Sequence, residues 1–149
     1  LHGSLVLVND RLDVALAADL SGAQLGQRSI PSETARKILG PGKLLGLSVH
    51  SVEEALAGDG GAVDFFLVGT IFRSATHPGA STGGVARIEE LRGRTDLPLL
   101  AIGGMTPERV NPVLSAGARG VAVLGGIWNS HDPGVATEDF LEELRKGEG

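Results

Sequence analysis

The chain has 149 residues, enough to bury the core of one domain, and its hydrophobic (42%) and charged (21%) fractions are ordinary for a globular protein. A net charge of −5 argues against a nucleic-acid partner, and the lack of Cys excludes disulfides and thiolate metal sites. The sequence contains no run of 18 apolar residues that would predict a membrane-spanning helix, and its first residues show no signal-peptide pattern. We therefore expect a cytoplasmic protein without a membrane partner.

Short apolar runs alternate with amphipathic segments along the whole chain. The runs are rich in Val, Leu and Ile, which predicts β-strands buried on both faces. The predicted strands are Leu5–Val8, Ala23–Leu25, Leu44–Val49, Phe65–Val68, Leu99–Ile102 and Gly120–Leu124. Helices are predicted over Leu12–Ala18, Ser32–Leu39, Val52–Ala57, Val85–Arg92, Pro107–Ala116 and Thr137–Lys146. Gly22, Gly61 and Gly117 each precede a strand, where glycine is predicted to end the helix in a left-handed conformation.

Six consecutive βα units predict a parallel sheet with right-handed crossovers. We favour a (β/α)₈ TIM barrel over a doubly wound sheet, because glycines follow several strands and do not form one fingerprint. A barrel needs eight strands. We therefore expect residues 1–149 to be one domain holding the third to eighth βα units of an N-terminally shortened barrel. The alternative is a genuine six-stranded α/β domain. Open sheet edges need cover, so a homo-oligomer is expected.

Polar residues end the first and third predicted strands. Asn9 and Asp10 follow the first, and Ser48 and His50 follow the third. Parallel strands bring these positions to the same end of the barrel. Asp10 offers a single carboxylate, which suits Mg²⁺ only if substrate phosphates complete the coordination shell. The alternative for Asp10 is a helix cap before Leu12.

The longest predicted loop follows the fourth strand and runs from Gly69 to Gly79. It gathers Ser74, Thr76 and His77 at the end of the barrel where active sites form. Loops of this length are commonly functional, the alternative being a plain surface loop.

Paired glycines follow the last two strands. Gly103 and Gly104 lead directly into a helix that starts at Pro107, and Gly125 and Gly126 follow the sixth strand. Bare backbone N–H groups at such turns bind anions, and this pair of turns is typical of the phosphate grip of the barrel fold. The alternative is that the glycines only make tight turns.

Several motifs stand in the order found in one known family. They are Asn9–Arg11, Gln24–Gln27, Gly46–Ser51, Gly69–Phe72, Ala101–Gly104 and Ala116–Val123. From Leu5 to about Glu143 the chain resembles the thiamine phosphate synthases and the related TenI-type thiazole tautomerases. The resemblance implies a synthase that joins hydroxymethylpyrimidine pyrophosphate to thiazole phosphate with Mg²⁺, or a cofactor-free tautomerase that moves a proton on a carboxylated thiazole phosphate.

The resemblance also implies roles for particular residues. Thiazole phosphate would sit on Ser74, Thr76, Gly103, Gly104 and Gly125, which agrees with the anion site predicted from the glycine pairs. In a synthase Asp10 would be a Mg²⁺ ligand, but Ser29 stands at the position of the second carboxylate. His77 stands where the synthase has a lysine that binds pyrophosphate, and Thr70 where a tautomerase has its acid/base histidine.

These departures favour a TenI-like tautomerase whose partner is a small phosphorylated thiazole. His77, or else His50, is predicted to shuttle the proton, because imidazole titrates near neutral pH. Ser48 and Asn9 are predicted to orient the ring. The alternatives are a thiamine phosphate synthase and a non-catalytic binding or regulatory protein of the same family.

Overall fold

The computed structural model describes residues 3–73, 79 and 81–147, and within them six parallel strands form one sheet. The strands are β1 (Leu7–Asn9), β2 (Gly22–Leu25), β3 (Leu44–Val49), β4 (Phe65–Val68), β5 (Leu99–Ile102) and β6 (Gly120–Ala122). The helices are α1 (Leu12–Ala17), α2 (Ser32–Leu39), α3 (Val52–Asp59), α4 (Ala86–Arg92), α5 (Val110–Ser115), α6 (Gly125–Trp128) and α7 (Pro133–Lys146). A 3₁₀ turn over Pro107–Arg109 leads into α5.

Each strand pairs with the next one along the chain, so the order in the sheet is β1-β2-β3-β4-β5-β6. A doubly wound sheet reverses its strand order at a switch point, and the observed order has no such reversal among the described strands. The fold is therefore α/β with sequential parallel strands, consistent with part of a (β/α)₈ barrel. All six carboxyl ends lie along one edge, which positions the loops that follow them.

The central strands are buried and the two outer strands are not. Val49, Phe66, Val68 and Leu99 are at most 1% exposed, whereas all residues of β6 are partly exposed and Leu5, ahead of β1, is 66% exposed. The prediction that every strand is buried on both faces is wrong for β1 and β6. Each of these strands has a hydrogen-bonded neighbour on one side only, and both are shorter than predicted.

Gly22 does not end helix α1 in a left-handed conformation, as predicted; it is the first residue of β2. The positive φ after α1 belongs to Asp19, at 48°. A Cβ atom on Gly22 would lie 2.8 Å from the backbone nitrogen of Leu44, so glycine is needed for the close approach of β2 and β3. The prediction for Gly117 is confirmed, because its φ is 104°. After α3 the left-handed cap is Gly60, with φ 52°, and Gly61 follows it with φ 70°.

Arg36 of α2 ties the loops at the amino ends of the strands to one another. Its guanidinium donates to the carbonyl oxygens of Gly40 (2.9 Å), Lys43 (2.7 Å) and Ala62 (2.9 Å) and to the carboxylate of Asp64 (2.6 Å). This network is at the end of the sheet opposite the strand carboxyl ends, so it supports the fold and not the site. None of the helices that the structure describes is long and apolar enough to cross a membrane.

Candidate functional site

A cleft of about 290 Å³ opens at the carboxyl ends of β5 and β6. Gly103, Gly104, Gly125 and Gly126 all line it, so the structure brings the two predicted glycine pairs together. Further lining residues come from the loop after β4 and from the turns after β5 and β6; they include Arg73, Met105, Thr106, Arg109, Leu124 and Asn129.

The first glycine turn has a backbone that only glycine adopts without strain. The φ values of Gly103 and Gly104 are 104° and 59°, in the region that is disfavoured for residues with a Cβ atom. A Cβ atom on Gly104 would also lie 2.7 Å from the carbonyl oxygen of Phe72. The N–H of Phe72 donates to the carbonyl oxygen of Gly103 at 3.1 Å, which holds the start of the β4–α4 loop against this turn.

The second glycine turn packs on the first. A Cβ atom on Gly126 would lie 2.9 Å from the carbonyl oxygen of Met105, the residue after the first glycine pair. Gly125 and Gly126 start the single-turn helix α6, which is not in the sequence prediction. The four glycines of the two turns therefore contribute backbone to the wall of the cleft.

Two arginines and no carboxylate are found among the described residues that line the cleft. Arg73 is exposed and lies at the start of the loop after β4. Arg109 is partly buried, donates a hydrogen bond to the carbonyl oxygen of Gly104, and has its guanidinium carbon 4.7 Å from the centre of the Phe72 ring. Arg109 was missed from the sequence, where it is simply one residue of the predicted helix Pro107–Ala116. A basic residue that closely follows a glycine pair at the end of a strand could have indicated this role for Arg109.

Three predicted site residues, Ser74, Thr76 and His77, lie outside the described residues. Their proposed contacts with phosphate, and the role of His77 as proton shuttle, stay predictions.

Polar side chains at the ends of β1, β2 and β3 form a second group. Asn9 ends β1 in register with Gln24 of β2. The amide nitrogen of Gln24 donates to the hydroxyl of Ser48 on β3 at 3.0 Å. A Cβ atom on Gly46, the register partner of Gln24, would overlap the Gln24 side chain and the Phe65 ring, so the small residue leaves room for the side chains that cover it.

Asp10 follows β1 in a left-handed conformation with φ 60°. Its carboxylate accepts a hydrogen bond from the hydroxyl of Ser29, and that hydroxyl accepts one from the N–H of Gly26 at 2.7 Å. The alternative prediction, that Asp10 caps α1, is wrong, because Arg11 is the N-cap residue and no side chain caps this helix. The Asp10 carboxylate is instead directed toward the β2–α2 loop.

His50 belongs to this second group and is not among the residues that line the cleft. Its Nδ1 atom lies 3.1 Å from the Gln27 amide nitrogen and 3.3 Å from the Glu54 carboxylate. The backbone N–H of His50 donates to the same carboxylate at 2.7 Å. Partial burial raises the pKa of Glu54, but hydrogen bonds from the His50 N–H, Gln27 and the His50 ring outweigh it and lower the pKa overall. The His50 ring therefore lies between Gln27 and Glu54, and its Nδ1 atom accepts from the Gln27 amide in one tautomer and donates to the Glu54 carboxylate in the other.

The described residues include no group of three His, Asp or Glu side chains that could hold a metal ion. Asp10 stands as a single carboxylate, already hydrogen-bonded to Ser29. Such a residue fits Mg²⁺ only as one ligand among waters and substrate oxygens, which is the usual way in which Mg²⁺ is bound with phosphates.

Comparison of the sequence with known families gives a match over most of the chain. The family profile described as thiamine monophosphate synthase matches residues 1–127. The chain is 38% identical over 149 residues to the thiamine biosynthesis bifunctional protein ThiM/ThiE of Symbiobacterium thermophilum, covering 99% of this chain and 31% of that protein. It is 37% identical over 147 residues to the thiamine-phosphate synthase of Methanosarcina mazei, covering 98% of this chain and 61% of that protein.

A solved structure supports the same relationship. The thiamine phosphate pyrophosphorylase of Pyrococcus furiosus superimposes with a TM-score of 0.88 at 33% identity, over 98% of this chain and 70% of that one. The chain spans between about a third and three fifths of the length of the two curated relatives named above.

Proposed function

The chain belongs to the thiamine monophosphate synthase family, and on this premise we propose that it acts as a thiamine phosphate synthase. The reaction would join the thiazole ring nitrogen of thiazole phosphate to the methylene carbon of hydroxymethylpyrimidine pyrophosphate. The carbon–oxygen bond to pyrophosphate breaks, and pyrophosphate leaves with its electron pair. The observation that carries this proposal is similarity along almost the whole chain to a protein named thiamine-phosphate synthase, that of Methanosarcina mazei.

The cleft supports a site for the phosphate of the thiazole. Two glycine turns expose backbone at close range, and two arginines add positive charge without a carboxylate among the described lining residues. A phosphate needs several hydrogen-bond donors and a positive potential, and charge-assisted hydrogen bonds to it are stronger than neutral ones. Ser74 and Thr76 are proposed to add hydroxyl donors from the β4–α4 loop.

The polar ends of β1 to β3 are proposed to hold the pyrimidine pyrophosphate. Asp10 would bind Mg²⁺ together with pyrophosphate oxygens, and the ion would neutralise charge on the leaving group. Asn9 and Ser48 are proposed to orient the reacting rings, and the hydrogen bond from Gln24 fixes the Ser48 hydroxyl for this purpose. The two groups of residues lie at the same edge of the sheet, which suits a reaction between two substrates.

The strand order supports the proposal that residues 1–149 form one domain corresponding to six units of a (β/α)₈ barrel. The homo-oligomer expected from the open sheet edges stays a prediction.

A TenI-like tautomerase is the second candidate, and the comparisons favour it less than the synthase. The observation in its favour is that Ser29, and not a second carboxylate, contacts Asp10. An imidazole held by a carboxylate, as His50 is by Glu54, is suited to move a proton between ring positions.

The two candidates are separated by one pair of assays on the purified protein. With both synthase substrates and Mg²⁺, the proposal predicts release of one pyrophosphate for each thiamine phosphate formed, measured by coupled phosphate detection and by chromatography. With carboxylated thiazole phosphate alone, it predicts no isomerisation by NMR. Isomerisation without condensation would establish the tautomerase and refute the synthase. Binding of thiazole phosphate without turnover in either assay would establish a non-catalytic family member.

A further inference from the structure

Arg109 occupies a position that the glycine turns alone do not explain. Arg109 lines the cleft, and one N–H of its guanidinium donates to the carbonyl oxygen of Gly104. The face of the guanidinium stacks on the Phe72 ring at 4.7 Å. We infer that Arg109 is a specificity-determining residue, which supplies a fixed positive charge to the phosphate in the cleft and so selects a phosphate ester over the free alcohol. This inference rests on the proposed function.

Arg109 is held in place by contacts with the glycine turn and with Phe72. The Phe72 N–H bonds to Gly103, the Phe72 ring contacts Arg109, and Arg109 bonds back to Gly104. These contacts form a closed loop between the glycine turn and the β4–α4 loop. A guanidinium restrained in this way loses little conformational entropy when a ligand binds.

The positive charge of Arg109 is available to a ligand. Among the described residues Arg109 forms no ion pair with a carboxylate, and its contact with Gly104 uses one of five N–H donors. The neighbouring Glu108 has a lowered pKa, caused first by a hydrogen bond from Thr106, then by its own N–H, with the charge of Arg109 adding less. Glu108 is exposed and is not a lining residue of the cleft.

The planar shape of the Arg109 guanidinium contributes in addition to its charge. One edge of the fork anchors Gly104, and fixing that carbonyl also fixes the peptide plane that carries the N–H of Met105. Another edge remains to donate to a phosphate oxygen. Lysine has a single ammonium on a flexible stem and cannot serve both partners in a fixed geometry. Arg73 is exposed, so solvent and salt screen its charge more than that of the partly buried Arg109.

The test compares the binding of thiazole phosphate, the corresponding thiazole alcohol and inorganic phosphate by calorimetry, with displacement titrations for weak ligands. For R109Q we expect thiazole phosphate to bind about 10-fold weaker or more, from the loss of a charge-assisted contact. The alcohol should bind as in the wild type. R109K should lie between the two, and R11Q, which changes an exposed arginine outside the cleft, should match the wild type.

Equal weakening of the phosphate and the alcohol in R109Q would show a purely structural role and overturn the inference, as would unchanged phosphate binding. If R109Q does not fold, R109K decides, because unchanged phosphate affinity there would equally overturn it. A wild-type protein that binds inorganic phosphate through Arg109 but not thiazole phosphate would refute the proposed function and keep the anion site. A wild type that binds neither would refute both.

Discussion

Replacing Gly104 by Ala tests the geometry of the first glycine turn, because two separate penalties apply at this position. The φ of 59° places the backbone in the left-handed region, which costs an L-residue roughly 1–2 kcal/mol. The added Cβ would lie 2.7 Å from the carbonyl oxygen of Phe72, and relieving such an overlap costs typically about 1–3 kcal/mol. We therefore expect G104A to lower the free energy of unfolding by about 2–5 kcal/mol.

Two other glycines provide matched controls. Gly61 has a φ of 70° but nothing within 4 Å of an added Cβ, so G61A should show the backbone penalty alone, about 1–2 kcal/mol. Gly42 has neither a positive φ nor a neighbour within 4 Å, so G42A should equal or slightly exceed the stability of the wild type.

Urea unfolding followed by circular dichroism gives the three free energies, and calorimetry gives the affinity of each variant for thiazole phosphate. Only G104A should lose ligand binding, because only there is the turn beside the cleft displaced. The reasoning would be refuted if G104A were no less stable than G61A and bound thiazole phosphate as the wild type does.

Three further predictions concern other parts of the molecule. R36A removes the donor to three backbone carbonyls and should lower the free energy of unfolding, measured in urea, by about 1–3 kcal/mol. R11A breaks the exposed ion pair of Arg11 with Asp13 and should leave the urea midpoint unchanged. Equal midpoints for the two variants would contradict this prediction. The pKa of Glu54 is lowered in the folded state, so its carboxylate stabilises the protein above the ordinary value of 4.5, and this contribution is lost as the pH falls through the lower, folded-state pKa. E54Q should therefore have a lower urea midpoint than the wild type at pH 7, and this difference should shrink as the pH is lowered below 4.5. A difference that does not change with pH would argue against ionisation as the cause. S29D places a second carboxylate beside Asp10 and should increase the affinity for Mn²⁺, measured by electron paramagnetic resonance. An unchanged Mn²⁺ affinity would disprove this prediction.

The sequence allowed the centre of the sheet to be predicted well. The bounds of β3, β4 and β5 agree with the prediction, because these strands consist largely of Val, Leu, Phe and Ile and each pairs with a strand on both sides. The outer strands β1 and β6 are shorter than their apolar runs predict. The composition of a run does not indicate how many neighbouring strands it pairs with. Helix α6 is four residues long and too short for periodicity to indicate.

The two glycine pairs could be assigned to one site because the carboxyl ends of adjacent parallel strands must meet. Arg109 could not be found in this way, because its contacts with Gly104 and the Phe72 ring depend on how a 3₁₀ turn folds back over the loop after another strand. The same limit applies to Ser29, whose contact with Asp10 joins two loops. The choice between tautomerase and synthase depended on single positions, and the wider similarity favours the synthase.

The most direct test of the central proposal is a titration of ¹⁵N-labelled protein with thiazole phosphate, followed through the glycine amide resonances. The account predicts that the amides of Gly103, Gly104, Gly125 and Gly126 shift together and give one dissociation constant, while those of Gly42 and Gly61 do not move. Shifts in only one of the two glycine pairs, or different dissociation constants for the two pairs, would contradict a single phosphate site formed by both turns.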